Sequence, residues 1–151
     1  MKITLLLALI ALTLSYNAGN AVSYALKYCK KYNKNYNTYP GEDCANFVSQ
    51  CVKAGGQSLS GCAGLDGKGA IPLVSNLKKC LSKKGWKKSS TKPGSFKAGY
   101  PFFHNSYAHA MLATKISGSK IYYAGHTNDR CGDVYMTGGV TYYYLWKDNL
   151  E

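Results

Sequence analysis

Apolar residues recur at helical spacing in the first half of the chain, and this pattern predicts three helices. The first helix runs from Asn20 to Tyr32, where the Asn side chain can cap the free backbone N–H groups. The second runs from about Cys44 to Ala54 and is stopped by Gly55 and Gly56. The third begins at Pro72 and ends at Gly85. Glycine-rich and asparagine-rich loops are expected between them.

Beyond the TKPGS turn the pattern changes to aromatic and β-branched runs separated by turns. Five strands are predicted, in the stretches GYPFF, AHAMLATKI, KIYYAGH, DVYM and VTYYYLW. Helices followed by a meandering antiparallel sheet predict an α+β domain, in which the N-terminal helices pack on one face of the C-terminal sheet.

The chain opens with a positive tip and the apolar run ITLLLALIALTLS, which predicts a secretory signal peptide over residues 1–15. The remaining residues 16–151 are enough for a single domain, which we expect to be a monomer. The apolar run is too short and too early to span a bilayer, and no other stretch is apolar enough for a membrane helix. The expected destination is secretion, or the lumen of the secretory or phagosomal pathway.

Nineteen basic residues against seven acidic ones produce a formal net charge of +12, and lysines concentrate between Lys78 and Lys97. Such a run is either a solvated face or a surface that attracts polyanions. Secretion favours anionic polymers of bacterial envelopes as the partner. Zinc-finger, helix-turn-helix and RNA-binding signatures do not accompany the charge, so no nucleic acid partner is expected.

Six cysteines in an exported chain ordinarily form three disulfides. If Cys44 is instead a working thiol, the other five allow at most two bridges and leave one further cysteine unpaired. These five, whose pairing the sequence leaves open, are Cys29, Cys51, Cys62, Cys80 and Cys131.

Cys44 has a distinctive position at the start of the second helix. Cys44, Phe47, Val48 and Cys51 follow helical spacing, so the side that holds Cys44 faces inward. We expect Asp43 to cap the helix, which leaves Cys44 in the first turn. Free N–H groups and the helix dipole there lower the pKa of a thiol, and they can hold the oxyanion formed when a thiolate attacks a carbonyl. Cys51 lies two turns further on and is expected to be structural.

A thiol nucleophile needs a base, and His109 is the best candidate. It alternates with Met111 and Ala113 on one face of a predicted strand. A tight turn in SGSK would pair this strand with the next so that Asn128 lies opposite His109 and His126 lies diagonally, on the same face. Either residue could orient the base, as a catalytic triad requires.

The third histidine, His104, falls in a loop before the strand and is expected to be exposed. Three histidines without carboxylates at ligand spacing make a poor zinc site, so neither a metal nor another cofactor is expected.

Three stretches carry a resemblance to a known family: AVSYALKYCKKYNKNYNTYPGEDCANFVSQCVKAGG, AHAMLATKI and IYYAGHTNDR. They resemble the putative amidase domain family, within the papain-like NlpC/P60 and CHAP group of peptidoglycan hydrolases, and DCANFVSQC ahead of AGG is the most specific of the signals. The resemblance implies a papain-like fold, with Cys44 as nucleophile, His109 as base and His126 as the favoured third residue over Asn128. The chain departs from the family in AGYPFF, where relatives often carry Gly-Asp.

The expected function is that of a secreted cysteine-dependent amide hydrolase that cleaves bacterial peptidoglycan, either within the stem peptide or between peptide and sugar. The alternative is a disulfide-stapled basic antibacterial or wall-binding protein without catalysis, in which all six cysteines are bridged. A third reading is an enzyme of the same fold that acts on ordinary proteins or transfers acyl groups.

Overall fold

The computed structural model describes residues 15–136 and 138–145. Three helices come first: α1 (Ala18–Tyr28), α2 (Cys44–Ala54) and α3 (Val74–Lys83). Six strands follow: β1 (Lys87–Ser89), β2 (Pro101–His104), β3 (Ala110–Ser117), β4 (Lys120–Gly125), β5 (Arg130–Tyr135) and β6 (Val140–Tyr144). The predicted signal peptide falls on residues 1–14, outside the described residues, and on Ser15. Within the described part of the chain, none of the helices has the length and apolarity needed to cross a membrane.

The strands form one antiparallel sheet in the order β1-β6-β2-β3-β4-β5. The α+β class is therefore confirmed. The meander is correct from β2 to β5, but β6 returns to lie between β1 and β2 rather than beside β5. The short strand β1 was not predicted, because its sequence Lys-Lys-Ser lacks the apolar alternation that marks a half-buried strand.

Helix α2 lies at the centre of the fold. It packs against α1, α3 and the strands β3 and β4, and every residue from Cys44 to Val52 is buried. The predicted bounds of this helix are confirmed. Its burial on most sides explains why polar side chains such as Ser49 and Asn46 are found within the core and form hydrogen bonds there.

The other two helices are shorter than predicted. The cap of α1 is Asn17, whose side chain accepts a hydrogen bond from the Asn20 N–H at 2.9 Å, so the proposed capping role of Asn20 is wrong. The acceptor has to lie about three residues before the donor, and Asn17 meets that requirement. Helix α3 begins at Val74 because Leu73 is still extended, and Pro72 therefore precedes the helix.

Two disulfides form, Cys29–Cys131 between the end of α1 and β5, and Cys62–Cys80 between a loop and α3. Cys44 and Cys51 are free and buried. This is the arrangement expected for a working thiol, and the alternative in which all six cysteines are bridged is wrong. Two disulfides are also compatible with an extracellular protein.

Candidate active site

Asp43 occupies the N-cap position of α2, but its side chain does not cap the helix. One carboxylate oxygen accepts hydrogen bonds from the Tyr39 N–H and the Asn46 side-chain amide, both at 2.9 Å, and the other contacts the Nδ1 atom of His126 at 2.5 Å. The expectation that Asp43 caps the helix is therefore wrong, because other donors occupy its carboxylate. As a result, no side chain caps the first turn of α2.

Cys44 is the first residue of α2, and its side chain is only 6% exposed. The backbone N–H groups of Ala110, Ala45 and Cys44 itself act to lower the pKa of its thiol, but burial is the larger effect and raises that pKa above its ordinary value. The expectation of a lowered pKa is wrong on this point, so the resting side chain is a neutral thiol. The Ala110 amide also places the sulfur beside the start of β3.

His109 directly precedes Ala110 and is half-buried. Burial lowers the pKa of its imidazole, and the neighbouring charge of His104 lowers it further, so the ring is neutral at neutral pH. Within the described residues, no side chain or backbone group forms a hydrogen bond with this ring. The backbone of His109 is fixed, since its carbonyl accepts from the His104 N–H at 3.1 Å.

Cys44, His109 and Asn128 line the same cavity, whose volume is about 480 Å³. Its other walls include Glu42, Leu73 and Tyr107, together with further residues from the loops around them. His109 and Asn128 also line a second cavity of about 320 Å³, and His126 lines that cavity with them. The structure therefore brings three of the four predicted residues to a common cavity.

Asn128 reaches this cavity by a different route from the one predicted. The predicted hairpin register holds between Ser117–Lys120 and Lys115–Tyr122, but a bulge after Ala113 shifts the pairing by one residue. His109 precedes β3 and Asn128 follows β4, so the expected ladder pairing of these two residues is wrong. Asn128 lies instead in the exposed turn between β4 and β5.

His126 is bound on both of its ring nitrogens and is 4% exposed. Its Nε2 donates to the carbonyl of Tyr28 at 2.7 Å, because a carbonyl can only accept, while Nδ1 lies at hydrogen-bonding distance from the Asp43 carboxylate. The ring also stacks on Phe47 with a centroid distance of 4.1 Å. Both nitrogens are occupied, which leaves neither available to orient His109. His126 thus supports Asp43, the residue before the thiol.

His104 differs from its prediction as well. It ends β2 and is partly buried rather than lying exposed in a loop. Its Nδ1 accepts from the Ser106 N–H at 3.1 Å, and its ring stacks on Tyr107 at 3.9 Å. No cluster of three or more His, Cys, Asp and Glu side chains that could hold a metal ion occurs in the described part of the chain.

The pairing of Asp43 with His126 was missed by sequence reasoning. The two residues are 83 positions apart, and no local pattern links them. The only sequence signal was indirect: an acidic residue next to a cysteine at an inward-facing helix start needs a buried partner.

A family model described as a putative amidase domain matches residues 15–95, which is more than half of the chain. The match contains α1, α2, α3 and Cys44, whereas His109, His126 and Asn128 follow the matched segment. No curated protein and no solved structure matches the chain. The length of the family match is sufficient for assignment, and the chain belongs to the putative amidase domain family.

Proposed function

We propose that this protein is a secreted, cysteine-dependent amide hydrolase that cleaves bacterial peptidoglycan, with a papain-like fold of the NlpC/P60 and CHAP type. The family assignment points to amide hydrolysis. The observation that supports the cysteine mechanism most directly is the position of Cys44, at a helix start without a side-chain cap and in one cavity with His109 and Asn128.

The first chemical step is attack by sulfur on the amide carbonyl. Because burial keeps the Cys44 thiol protonated and His109 neutral, proton transfer from sulfur to the imidazole accompanies the formation of the S–C bond. The carbonyl electrons move to oxygen. The backbone N–H groups at the start of α2 stabilise this oxyanion, since no side chain caps them.

The second step releases the two products. The protonated His109 donates its proton to the leaving amine as the C–N bond breaks, which leaves a thioester on Cys44. Water then attacks the thioester carbonyl with His109 as its base. The acyl group departs as a carboxylic acid, and the proton returns to the sulfur.

In this proposal Asn128 orients His109, and His126 acts indirectly by holding the Asp43 carboxylate. Asn128 lines both cavities that His109 lines. His126 holds the Asp43 carboxylate away from the N–H groups of α2 and so keeps them available for the oxyanion. The reaction proposed here uses no metal or other cofactor.

Peptidoglycan is the proposed substrate because several independent features suit a bacterial wall. The net charge of +12 favours anionic polymers, the disulfides suit an extracellular protein, and the two cavities that His109 lines suit an extended substrate. The protein would act as a secreted monomer on the wall, without a nucleic acid partner. The signal peptide over residues 1–15 and the single domain over 16–151 form part of this proposal.

The test is incubation of the mature protein with purified peptidoglycan, followed by mass spectrometry of the released fragments. New amine and carboxylate ends should appear with the wild type, and the mass of the fragments identifies the bond that is cut. Cys44→Ala and His109→Ala should each lose nearly all of this activity while they keep the fold. A fully active Cys44→Ala protein would exclude the proposed mechanism.

A further inference from the structure

The catalytic cavity continues into a groove along the surface of α3. A neighbouring cavity of about 410 Å³ shares Leu73, Val74 and Tyr107 with the catalytic one. This neighbouring cavity in turn shares Ser75 and Lys78 with a cavity of about 450 Å³. A further cavity of about 300 Å³ extends the series over β1 and β6. We call this series of adjoining cavities the α3 groove.

Three lysines line the α3 groove: Lys78, Lys79 and Lys88. On α3, the groove-lining residues Ser75, Lys78, Lys79 and Ser82 follow the spacing of one helical face. The opposite face carries the buried residues Leu77, Cys80 and Leu81. The amphipathic pattern of α3 therefore directs Lys78 and Lys79 outward into the groove.

The groove lysines differ from other lysines in the same run. Lys83 and Lys84 donate to the carbonyls of Gly61 and Ser60, at 2.8 and 2.7 Å, and so tie the preceding loop to α3. By contrast, Lys78, Lys79 and Lys88 form neither such a hydrogen bond nor an ion pair with a described residue, and the Lys78 ammonium lies 6.0 Å from the centre of the Phe103 ring. Lys78, Lys79 and Lys88 thus combine positive charge with a concave surface that leads to the thiol.

We propose that the α3 groove binds the phosphodiester polymers attached to the bacterial wall, and that this contact holds the wall beside the catalytic cavity. The proposal rests on the proposed function for its choice of partner. Because the groove is continuous with the catalytic cavity, a polymer that is joined to the substrate can occupy the groove while the substrate occupies the cavity. Wall polymers with repeating phosphates are joined to peptidoglycan in this way. Repeating negative charges match a series of lysines that lack carboxylate partners among the described residues.

The experiment measures binding of a Cys44→Ala protein, which cannot turn the wall over, to two preparations of the same Gram-positive wall. One preparation is untreated, and the other has lost its phosphodiester polymers by treatment with cold hydrofluoric acid. Binding to the untreated wall should be tighter and should weaken markedly as salt rises from about 0.05 to about 0.5 M. Replacing Lys78, Lys79 and Lys88 by Gln should weaken it roughly tenfold, with little effect on the stripped wall.

A matched triple variant serves as the control. Lys30, Lys87 and Lys120 are exposed and line none of the cavities of the groove, so their replacement by Gln removes the same charge from elsewhere. The control should bind the untreated wall like its parent. Equal losses in both triple variants, or binding that is indifferent to polymer removal, would overturn the proposal.

The activity of the unmodified protein on the stripped wall is measured in parallel. Hydrolysis there tests the proposed function without the polymer, so failure of the groove proposal and failure of the hydrolase proposal yield different results.

Discussion

At the scale of single residues, the carboxylate of Asp43 determines what the start of α2 can do. An aspartate at the N-cap ordinarily accepts hydrogen bonds from the first turn of its own helix. Here Tyr39, Asn46 and His126 occupy the carboxylate instead. The N–H groups of the first turn therefore remain available to the sulfur of Cys44 and to an oxyanion.

The protonation state of Cys44 leads to the first prediction. Because burial raises the pKa of this thiol, the reactive thiolate increases only as the solution becomes alkaline. Alkylation by iodoacetamide should be slow at about pH 6 and should accelerate through about pH 8 and about pH 9. Peptide mass spectrometry should locate the label on Cys44, while Cys51, which is fully buried, stays unmodified in the folded protein. Equally fast labelling at the lowest pH would indicate a preformed thiolate–imidazolium pair.

The second prediction separates His126 from Asn128. His126→Ala leaves the Asp43 carboxylate, which is 1% exposed, without the ring that contacts one of its oxygens. Breaking such a buried pair should lower the free energy of unfolding by about 3–5 kcal/mol, measured by chemical denaturation. Asn128→Ala removes an exposed side chain, so it should keep that free energy and lower kcat by roughly tenfold or more through poorer orientation of His109.

One result would reverse the roles assigned to His126 and Asn128. If His126→Ala were inactive but as stable as the wild type, His126 would be the third catalytic residue and Asn128 would not. Activity is measured well below the melting temperature of each variant, so that a loss of stability does not count as a loss of chemistry.

At the scale of elements, α2 carries the proposed nucleophile Cys44 as its first residue and is buried along most of its length. Cys51 lies within this buried stretch and is itself fully buried. Cys51→Ser places a hydroxyl in an apolar site and should lower the free energy of unfolding by about 1–3 kcal/mol, with turnover unchanged well below the melting temperature. Cys44→Ser makes the same chemical change at the other end of the helix. It should abolish turnover with a smaller loss of stability, and the reverse result would mean that the roles of the two cysteines had been exchanged.

Elements that depend on local sequence were predictable, and those that depend on distant pairing were not. The bounds of α2 could be predicted because a continuous apolar stripe ends at Gly55 and Gly56. The tight turn between β3 and β4 also fixed its nearest pairs, up to Lys115 and Tyr122. The bulge beyond these pairs and the return of β6 to β2 depend on packing across the sheet, which no local pattern encodes.

The candidate site shows the same division at the scale of the whole molecule. That Cys44 and His109 line one cavity could be predicted, because each has an unusual residue type at a position with recognisable periodicity. The contact of His126 with Asp43 could not, because it depends on how the turn after β4 meets the ends of α1 and α2. Local sequence identifies the candidate reactive groups, whereas tertiary packing decides which polar groups lie beside them.

The two disulfides act on different parts of this assembly. Cys29 follows Tyr28, whose carbonyl accepts the hydrogen bond from His126, and its partner Cys131 lies in β5 shortly after Asn128. The Cys29–Cys131 bridge therefore joins the end of α1, which binds His126, to the strand that follows the turn with Asn128. The Cys62–Cys80 bridge joins a loop to α3, away from these residues.

This difference leads to the last prediction, in which the two bridges are removed separately as paired Cys→Ala variants. The bridges span separations of 102 and 18 residues. Chain entropy then predicts losses in the free energy of unfolding of about 4.7 kcal/mol for Cys29–Cys131 and about 3 kcal/mol for Cys62–Cys80. Turnover of peptidoglycan well below each melting temperature should fall only in the first variant, because the Tyr28 carbonyl and the turn that carries Asn128 lose their common anchor. Equal turnover in both variants would show that the longer bridge contributes stability alone and leaves the geometry around His126 unchanged.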